Sequence, residues 1–298
     1  MFVGQRSLLS ACLALAFVTC CTLAAWRSLR PPTATTPPVR TLLTFGDAAP
    51  RAISEAVAPD LAWVATGTRE GKILLRSGDC GRLLFGWQAH SEPVTALAAF
   101  AGCPRLVSAS RDGEVRIWSI TLQGAERVAT TLVGGPVLSA AVSPDGQALA
   151  LGSVGKITLW RIGTCGLSPD GELVAPDQYL ISALAFSPDG RLLAASGTGD
   201  GLARVWRLGE AGPPAALEAS AEATARGLCF TPDGGGLMVL DTDGNLSRRA
   251  LDGVEHWRRR LPIPACRHGA FSADGHYLLI GHFNGSARLL ALSEQEHE

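Results

Sequence analysis

Charge is what this chain of 298 residues has little of: Asp, Glu, Lys and Arg make up 18% of it, and the formal net charge is -1 with pI near 6.6. A chain whose main task is to neutralise a phosphate backbone needs a positive excess, so the near-zero balance argues against nucleic acid as a partner. Lysine is almost missing, with Lys72 and Lys156 the only two. Catalytic signatures are missing as well: no Gly-x-Ser-x-Gly, HExxH, Walker loop or dinucleotide fingerprint occurs. Of 8 cysteines, Cys12, Cys20 and Cys21 lie in one apolar stretch. The other five, Cys80, Cys103, Cys165, Cys229 and Cys266, contain no CxxC and no His at metal-ligand spacing, so they imply neither a structural zinc nor any other cofactor. What is abundant is apolar surface, at 47%, together with 34 Gly and 18 Pro. That composition excludes disorder as the main state and points to a real core with many tight turns.

Between Arg6 and Arg27 stand twenty residues without a charge. As a helix rising about 1.5 Å per residue they would reach roughly 30 Å, the thickness of a bilayer core. We therefore expect residues 1–30 to be a signal peptide or a signal-anchor transmembrane helix, with residues 7–26 meeting the membrane. Thr22-Leu23-Ala24 offers a small-x-small cleavage site, whereas the apolar run exceeds that of an ordinary secretory signal, and both readings stand. Arg6 and the amino group on one side nearly balance Arg27 and Arg30 on the other, so export of the chain beyond residue 30 rests on a narrow margin. Residues 31–39, with Pro31, Pro32, Pro37 and Pro38, read as an extended linker.

Beyond the linker one unit repeats. AVSPDGQALALGS at Ala141 returns as AFSPDGRLLAASG at Ala185, CFTPDGGGLMVLD at Cys229 and AFSADGHYLLIGH at Ala270, so that Asp145, Asp189, Asp233 and Asp274 succeed one another at intervals of 44, 44 and 41 residues. Asp60 lies two periods before Asp145, and Val94 opens the intervening copy. A residue followed by glycine marks the same phase at Glu70, Asp112, Val154, Asp200, Asp243 and Asn284. Six residues after each come Arg76, Trp118, Trp160, Trp206, Arg249 and Leu290. Six units are thus expected. Within a unit, apolar runs of five or six residues bounded by Ser-Pro-Asp-Gly are too short for helices and read as strands joined by tight turns. Each unit becomes strands a, b and c followed by a more polar d, such as Arg82–Trp87. Sheets buried on both faces and repeated radially describe an all-β, six-bladed β-propeller of four-stranded antiparallel blades. Counting six a-b-c sets against six d candidates places the first d, Thr41–Phe45, upstream, where it completes the sixth blade. The extra Ser168-Pro169-Asp170-Gly171 is out of phase and is expected to decorate a loop.

LVSASRDGEVRIW from Leu106 and FSPDGRLLAASGTGDGLARVW from Phe186 closely resemble WD-repeat (WD40) propellers, over residues 40–293, with 294–298 left as a polar tail. The resemblance implies blades pinned by a buried His, Ser or Thr, Asp and Trp network, carried here by His90, Ser108 or Ser110, Asp112 and Trp118, and in the fourth blade by Asp200 and Trp206. The third blade has Val154 for Asp, blades one, five and six lack the Trp, and the closing Trp-Asp dipeptide is absent throughout. The resemblance also implies a non-catalytic scaffold for protein partners. The alternative is a propeller enzyme of metal-dependent hydrolase type, or a small-ligand binder, using the central channel. An enzyme would need carboxylates, Asn or His converging from several blades, and the strand-a starts offer Glu55 alone as a nearby acid.

Asp241-Thr242-Asp243-Gly244-Asn245 has its glycine too early for a calcium loop and reads as the shared b-to-c turn. Arg258-Arg259-Arg260 belongs to an outer strand, where positive charge discourages edge pairing. The d-to-a and b-to-c connections emerge at one end of every blade and bring together Arg51, Arg69, Trp87, Arg111, Tyr179, Arg226, Arg267, His282 and Phe283. Arginine and aromatic residues dominate interface energetics, so this face is the expected docking surface, with an acidic partner suited to Arg226 and Arg267. No small-molecule substrate is indicated.

Overall fold

The computed structural model describes residues 39–45, 52–164, 166–175, 179–198, 202–210, 214–218, 224–263, 266–272, 274–283 and 286–292. The expected N-terminal helix, Arg51 and Asp200 lie outside them. Strand β1 (Val39–Phe45) precedes six a-b-c sets. Blade one is β2 (Ala52–Val57), β3 (Trp63–Thr68), β4 (Lys72–Ser77) and β5 (Leu83–Gln88). Blade two is β6 (Val94–Ala99), β7 (Arg105–Ser110), β8 (Glu114–Thr121) and β9 (Gly124–Leu132). Blade three is β10 (Ser139–Val142), β11 (Ala148–Gly152), β12 (Lys156–Gly163) and β13 (Gly166–Val174). Blade four is β14 (Leu180–Phe186), β15 (Leu192–Thr198), β16 (Leu202–Arg207) and β17 (Ala215–Glu218). Blade five is β18 (Ala225–Phe230), β19 (Gly236–Asp241), β20 (Asn245–Ala250) and β21 (Glu255–Arg260). Blade six has β22 (Cys266–Phe271), β23 (Tyr277–His282) and β24 (Ala287–Leu292), and takes β1 as its outer strand.

Each blade is an antiparallel a-b-c-d sheet, and the six a strands touch one another in a closed circuit around the channel. The b strands are buried on both faces, so apolar and small residues dominate them, whereas β5 and β9 are largely exposed along the rim. The turn chemistry is reused. Ser143 Oγ accepts from the Ala148 amide at 2.8 Å and donates to Asp145 at 2.5 Å, while Asp145 accepts from the Gln147 amide at 3.0 Å. Gly146 closes the turn at φ +69°, which only glycine adopts without strain. Ser187 with Asp189, Thr231 with Asp233 and Ser272 with Asp274 repeat the arrangement. The hydroxyl hydrogen bond holds the Asp145, Asp189 and Asp233 carboxyls below the usual carboxylate range.

One tetrapeptide departs from this pattern. Ser168-Pro169-Asp170-Gly171 lies in the middle of β13 and not in a loop, and Pro169 pairs with Trp160 beside a bulge. A d strand has one free edge, so a residue without an amide N–H is tolerated there.

Hydroxyls tie successive blades together. Ser54 donates to the Val94 carbonyl at 2.7 Å, Thr95 to Val137 at 2.5 Å, Ser139 to Ile181 at 2.8 Å and Ser182 to Ala225 at 2.9 Å. Between blades five and six the contact is backbone on backbone: a Cβ at Gly227 would lie 2.8 Å from the Gly269 carbonyl oxygen.

The ring closes through β1, whose Val39 pairs with Leu292 and Phe45 with Ala287. Removing residues 39–45 exposes the edge of β24 and the packing of Val39, Leu42 and Leu43. We expect the truncated protein to melt on the order of 10 °C below the parent; an unchanged midpoint in a thermal scan would contradict closure by this strand.

Candidate functional site

Five a strands carry a register shift at the same place, between Ala52 and Ser54, Val94 and Ala96, Ile181 and Ala183, Ala225 and Gly227, and Cys266 and His268. A bulge leaves its extra residue out of the ladder and re-aims the side chain. The extra residues are Ile53, Thr95, Ser182, Arg226 and Arg267, and with Leu138 they supply one lining residue from every blade to a cavity of about 270 Å³ at the channel mouth. Arg69 and Arg111, from the b-to-c turns of blades one and two, reach the same cavity. Four of the nine residues expected on the docking face therefore surround one opening.

Beneath them lie His268 and Glu55, which also line the channel interior. Burial, reinforced by the Arg267 and Arg226 guanidiniums, pushes the His268 pKa down to about 4, so its imidazole is neutral near pH 7. The positive charge at the mouth is therefore the arginines' own. Glu55 is 5% exposed, packs against Gly281 at the seam between blades one and six, and neither carboxylate oxygen has a hydrogen-bond partner. Burial raises its pKa to about 8 against the opposing pull of Arg267.

Other members of the expected face are placed differently. Tyr179 is 3% exposed, donates its hydroxyl to the Leu202 carbonyl at 2.7 Å and covers the Arg204 guanidinium at 4.6 Å. His282 is 2% exposed. Trp87 is half-buried and meets Trp118 edge-on at 5.6 Å. These three are packing residues, because a connection at the right end of a blade can still turn its side chain into the neighbouring sheet. Phe283 is 59% exposed, with Arg267 at 5.9 Å from its ring. Arg258, Arg259 and Arg260 lie in the outer strand β21, where Arg258 pairs with Glu255 at 3.2 Å.

In blade two, Trp118 donates its indole N–H to Ser108 Oγ at 2.8 Å, Ser108 lies 2.7 Å from His90 Nε2, and His90 Nδ1 lies 3.2 Å from Asp112. Burial lowers the His90 pKa despite Asp112, so the ring is neutral. One direction of donation then satisfies every atom: indole to hydroxyl, hydroxyl to Nε2, and Nδ1–H to carboxylate. Ser110 stands outside this chain; its hydroxyl donates to the Glu92 carbonyl at 3.2 Å and accepts from the Asp112 amide at 3.3 Å. His90, Asp112 and Glu114 bring ligand atoms within 4.8 Å of one another, and in this arrangement both His90 nitrogens are engaged by Ser108 and Asp112 while Glu114 pairs with Arg116, so the group fastens the blade. Elsewhere the same position is filled by other means. Trp160 donates to Thr158 at 2.9 Å, buried Arg249 pairs with Glu255 at 2.6 Å, Trp206 is buried and Leu290 is simply apolar core.

Residues 81–119 and 167–207 match the family model for the WD domain, G-beta repeat. Both segments run from a d strand through the next a, b and c, so the sequence unit is offset by one strand from the structural blade. The chain is similar to Periodic tryptophan protein 2 of Arabidopsis thaliana, 26% identical over 258 aligned residues, covering 78% of this chain and 28% of that protein. It is also similar to the Periodic tryptophan protein 2 homolog of Schizosaccharomyces pombe, 32% identical over 109 residues, covering 36% of this chain and 13% of that protein. The chain thus spans less than a third of the length of these curated relatives.

Three substitutions test this chemistry. S108A leaves His90 Nε2 and the Trp118 indole N–H without a partner and should cost about 2–4 kcal/mol in urea unfolding, against about 1 kcal/mol for S110A; equal costs would place Ser108 outside the network. For Glu55 the folded chain holds its proton more tightly than the unfolded chain, so the stability it contributes is full below its ordinary pKa of 4.5 and is lost as pH rises to about 8. The melting midpoint of E55Q should therefore gain on that of the parent as pH climbs through this window, and a constant difference between them would refute the buried neutral acid.

Proposed function

We propose that this WD-repeat β-propeller is a non-catalytic protein-interaction scaffold whose docking surface is the channel mouth bearing Arg69, Arg111, Arg226 and Arg267, and whose partner presents an acidic segment. WD-repeat propellers bind protein partners. The observation that carries the finer reading is that four arginines, one from each of four blades, line one cavity. Among the described residues, Arg69, Arg111 and Arg226 have no carboxylate within the 4.0 Å of an ion pair, and a buried Arg226 Nε lacks any hydrogen-bond partner. Guanidinium forks of this kind match carboxylates bidentately. The non-catalytic reading is supported by the sparseness of acids in the channel: among the described residues that line its interior, Glu55 is the one carboxylate. A hydrolytic centre needs several converging acids or bases.

The same reading puts the propeller outside the cytoplasm, tethered through residues 7–26 with the linker up to residue 38 as a stalk, since Val39 already belongs to β1. It is supported by the twenty uncharged residues between Arg6 and Arg27. Those residues lie outside the described part of the chain, and among the described residues no helix is long and apolar enough to cross a membrane.

R226E/R267E in the full chain should abolish co-purification of the native partner while the circular dichroism spectrum stays that of the parent. Capture that survives this change and disappears with R258E/R259E would move the docking surface to the rim. Protease added to intact cells or spheroplasts should digest the propeller; protection until the membrane is dissolved would reverse the orientation.

A further inference from the structure

The mouth has two chemically different halves. Its arginines come from blades five, six, one and two, in that order around the ring: Arg226, Arg267, Arg69 and Arg111. Blades three and four contribute Leu138, Leu180, Ser182 and Thr198 instead. The apolar half does not stop at the opening. Leu180, 41% exposed, forms a bridge with Val154 in the b-to-c turn of blade three, and Val154 is itself 46% exposed. Next to that turn, Val174 ends β13, pairs with Lys156 and is 76% exposed. Three exposed apolar side chains therefore lead from the cavity to the rim across blade three.

This is also the blade where the fastening of blade two is missing from the surface. Val154 occupies the place of Asp112, and Gly134 comes after Val133 as His90 comes after Ala89, since the amides of Ala89 and Val133 both donate to the carbonyl of their blade's turn glycine. Polar groups that elsewhere satisfy one another are replaced here by apolar surface facing solvent. Exposed apolar positions that cluster beside a cavity mark contact sites more often than scattered ones do.

Resting on the reading of the mouth as a docking surface, we propose that its partner is an extended peptide in which an acidic stretch sits over the arginine half and apolar residues continue over Leu180, Val154 and Val174. Charge complementarity fixes which end lies where. Strands about 4.8 Å apart put the outer strand about 14 Å from the inner one, a distance an extended chain covers in about four residues. Side chains of an extended peptide alternate, so about two of those four point at the propeller.

The test uses fluorescein-labelled octapeptides and fluorescence anisotropy with the full chain. One peptide is four glutamates followed by Leu-Ser-Leu-Ser, its control has four serines in place of the last four residues, and each is also made in reversed order. In at least one order the leucine peptide should bind about tenfold more tightly than its serine control, because two leucine side chains leave water. V154S/V174S, at two exposed positions that should leave the melting midpoint unchanged, should erase that advantage without weakening the serine control. R226E/R267E should abolish binding of both. Equal affinities of leucine and serine peptides in both orders, or an advantage that survives V154S/V174S, overturn the apolar half of the site while leaving the acidic docking reading intact. Failure of every peptide to bind, or binding that survives R226E/R267E, overturns the docking reading and this inference with it.

Discussion

Pairing of Val39–Phe45 with Ala287–Leu292 turns six sheets into a ring, and the chemistry at the channel mouth depends on it. The seam that β1 closes lies between blades six and one, in the middle of the arginine half: Arg226 and Arg267 stand on one side of it and Arg69 and Arg111 on the other. Without closure, the a strands of blades six and one would have no reason to stay in contact, and the cation cluster would divide into two pairs. The seam also holds Glu55 against Gly281. A buried carboxyl with no hydrogen-bond partner is tolerated because it keeps its proton, so the closure carries a cost that grows as pH rises.

A second constraint is how each blade satisfies its buried polar atoms. Blade two does so with a complete chain from Trp118 to Asp112. Blade five buries Arg249 on Glu255, blade three turns Trp160 to Thr158, and blade six dispenses with polarity at that position. These solutions are equivalent for packing but not for the surface. Where the His and Asp are kept, the turn is polar; where they are replaced by Gly134 and Val154, the turn shows apolar surface. Variation that leaves the fold intact is what gives the mouth its two halves.

The fold was legible because its signals are local and repeated. The Asp-Gly turns fixed the phase, and counting a-b-c sets was enough to assign Thr41–Phe45 to the sixth blade, two residues short of its observed start. Ser168–Gly171 misled because a tetrapeptide's turn preference is weaker than the pairing offered by a free strand edge. For the residues proposed to dock, the end of the blade was legible and the direction of the side chain was not. Sequence position told which end of a blade holds Tyr179, Trp87 and His282, but a strand end can point a side chain outward or into the next sheet, and all three turn inward. The bulges that bring Ile53, Thr95, Ser182, Arg226 and Arg267 to one opening left no mark in the sequence. A bulge at the second or third residue of a strand of six or seven leaves too short a run before it for a break in alternation to show. Glu55 did leave a mark, as a lone acid in an apolar strand, although its burial at the ring seam is a consequence of the closed circuit alone.

Ring closure is accordingly the claim to test most directly. Thr44 and Arg288 face each other across β1 and β24, and facing residues of an antiparallel pair lie about 4.5–5.5 Å apart at Cα, within disulfide reach. In a background with Cys12, Cys20, Cys21, Cys80, Cys103 and Cys165 all changed to Ser, which keeps only the buried Cys229 and Cys266, T44C/R288C should form an intramolecular disulfide under mild oxidation, with the two peptides recovered as one cross-linked mass that separates on reduction. Recovery of both positions as free thiols, or of cross-links only between molecules, would contradict the closed ring.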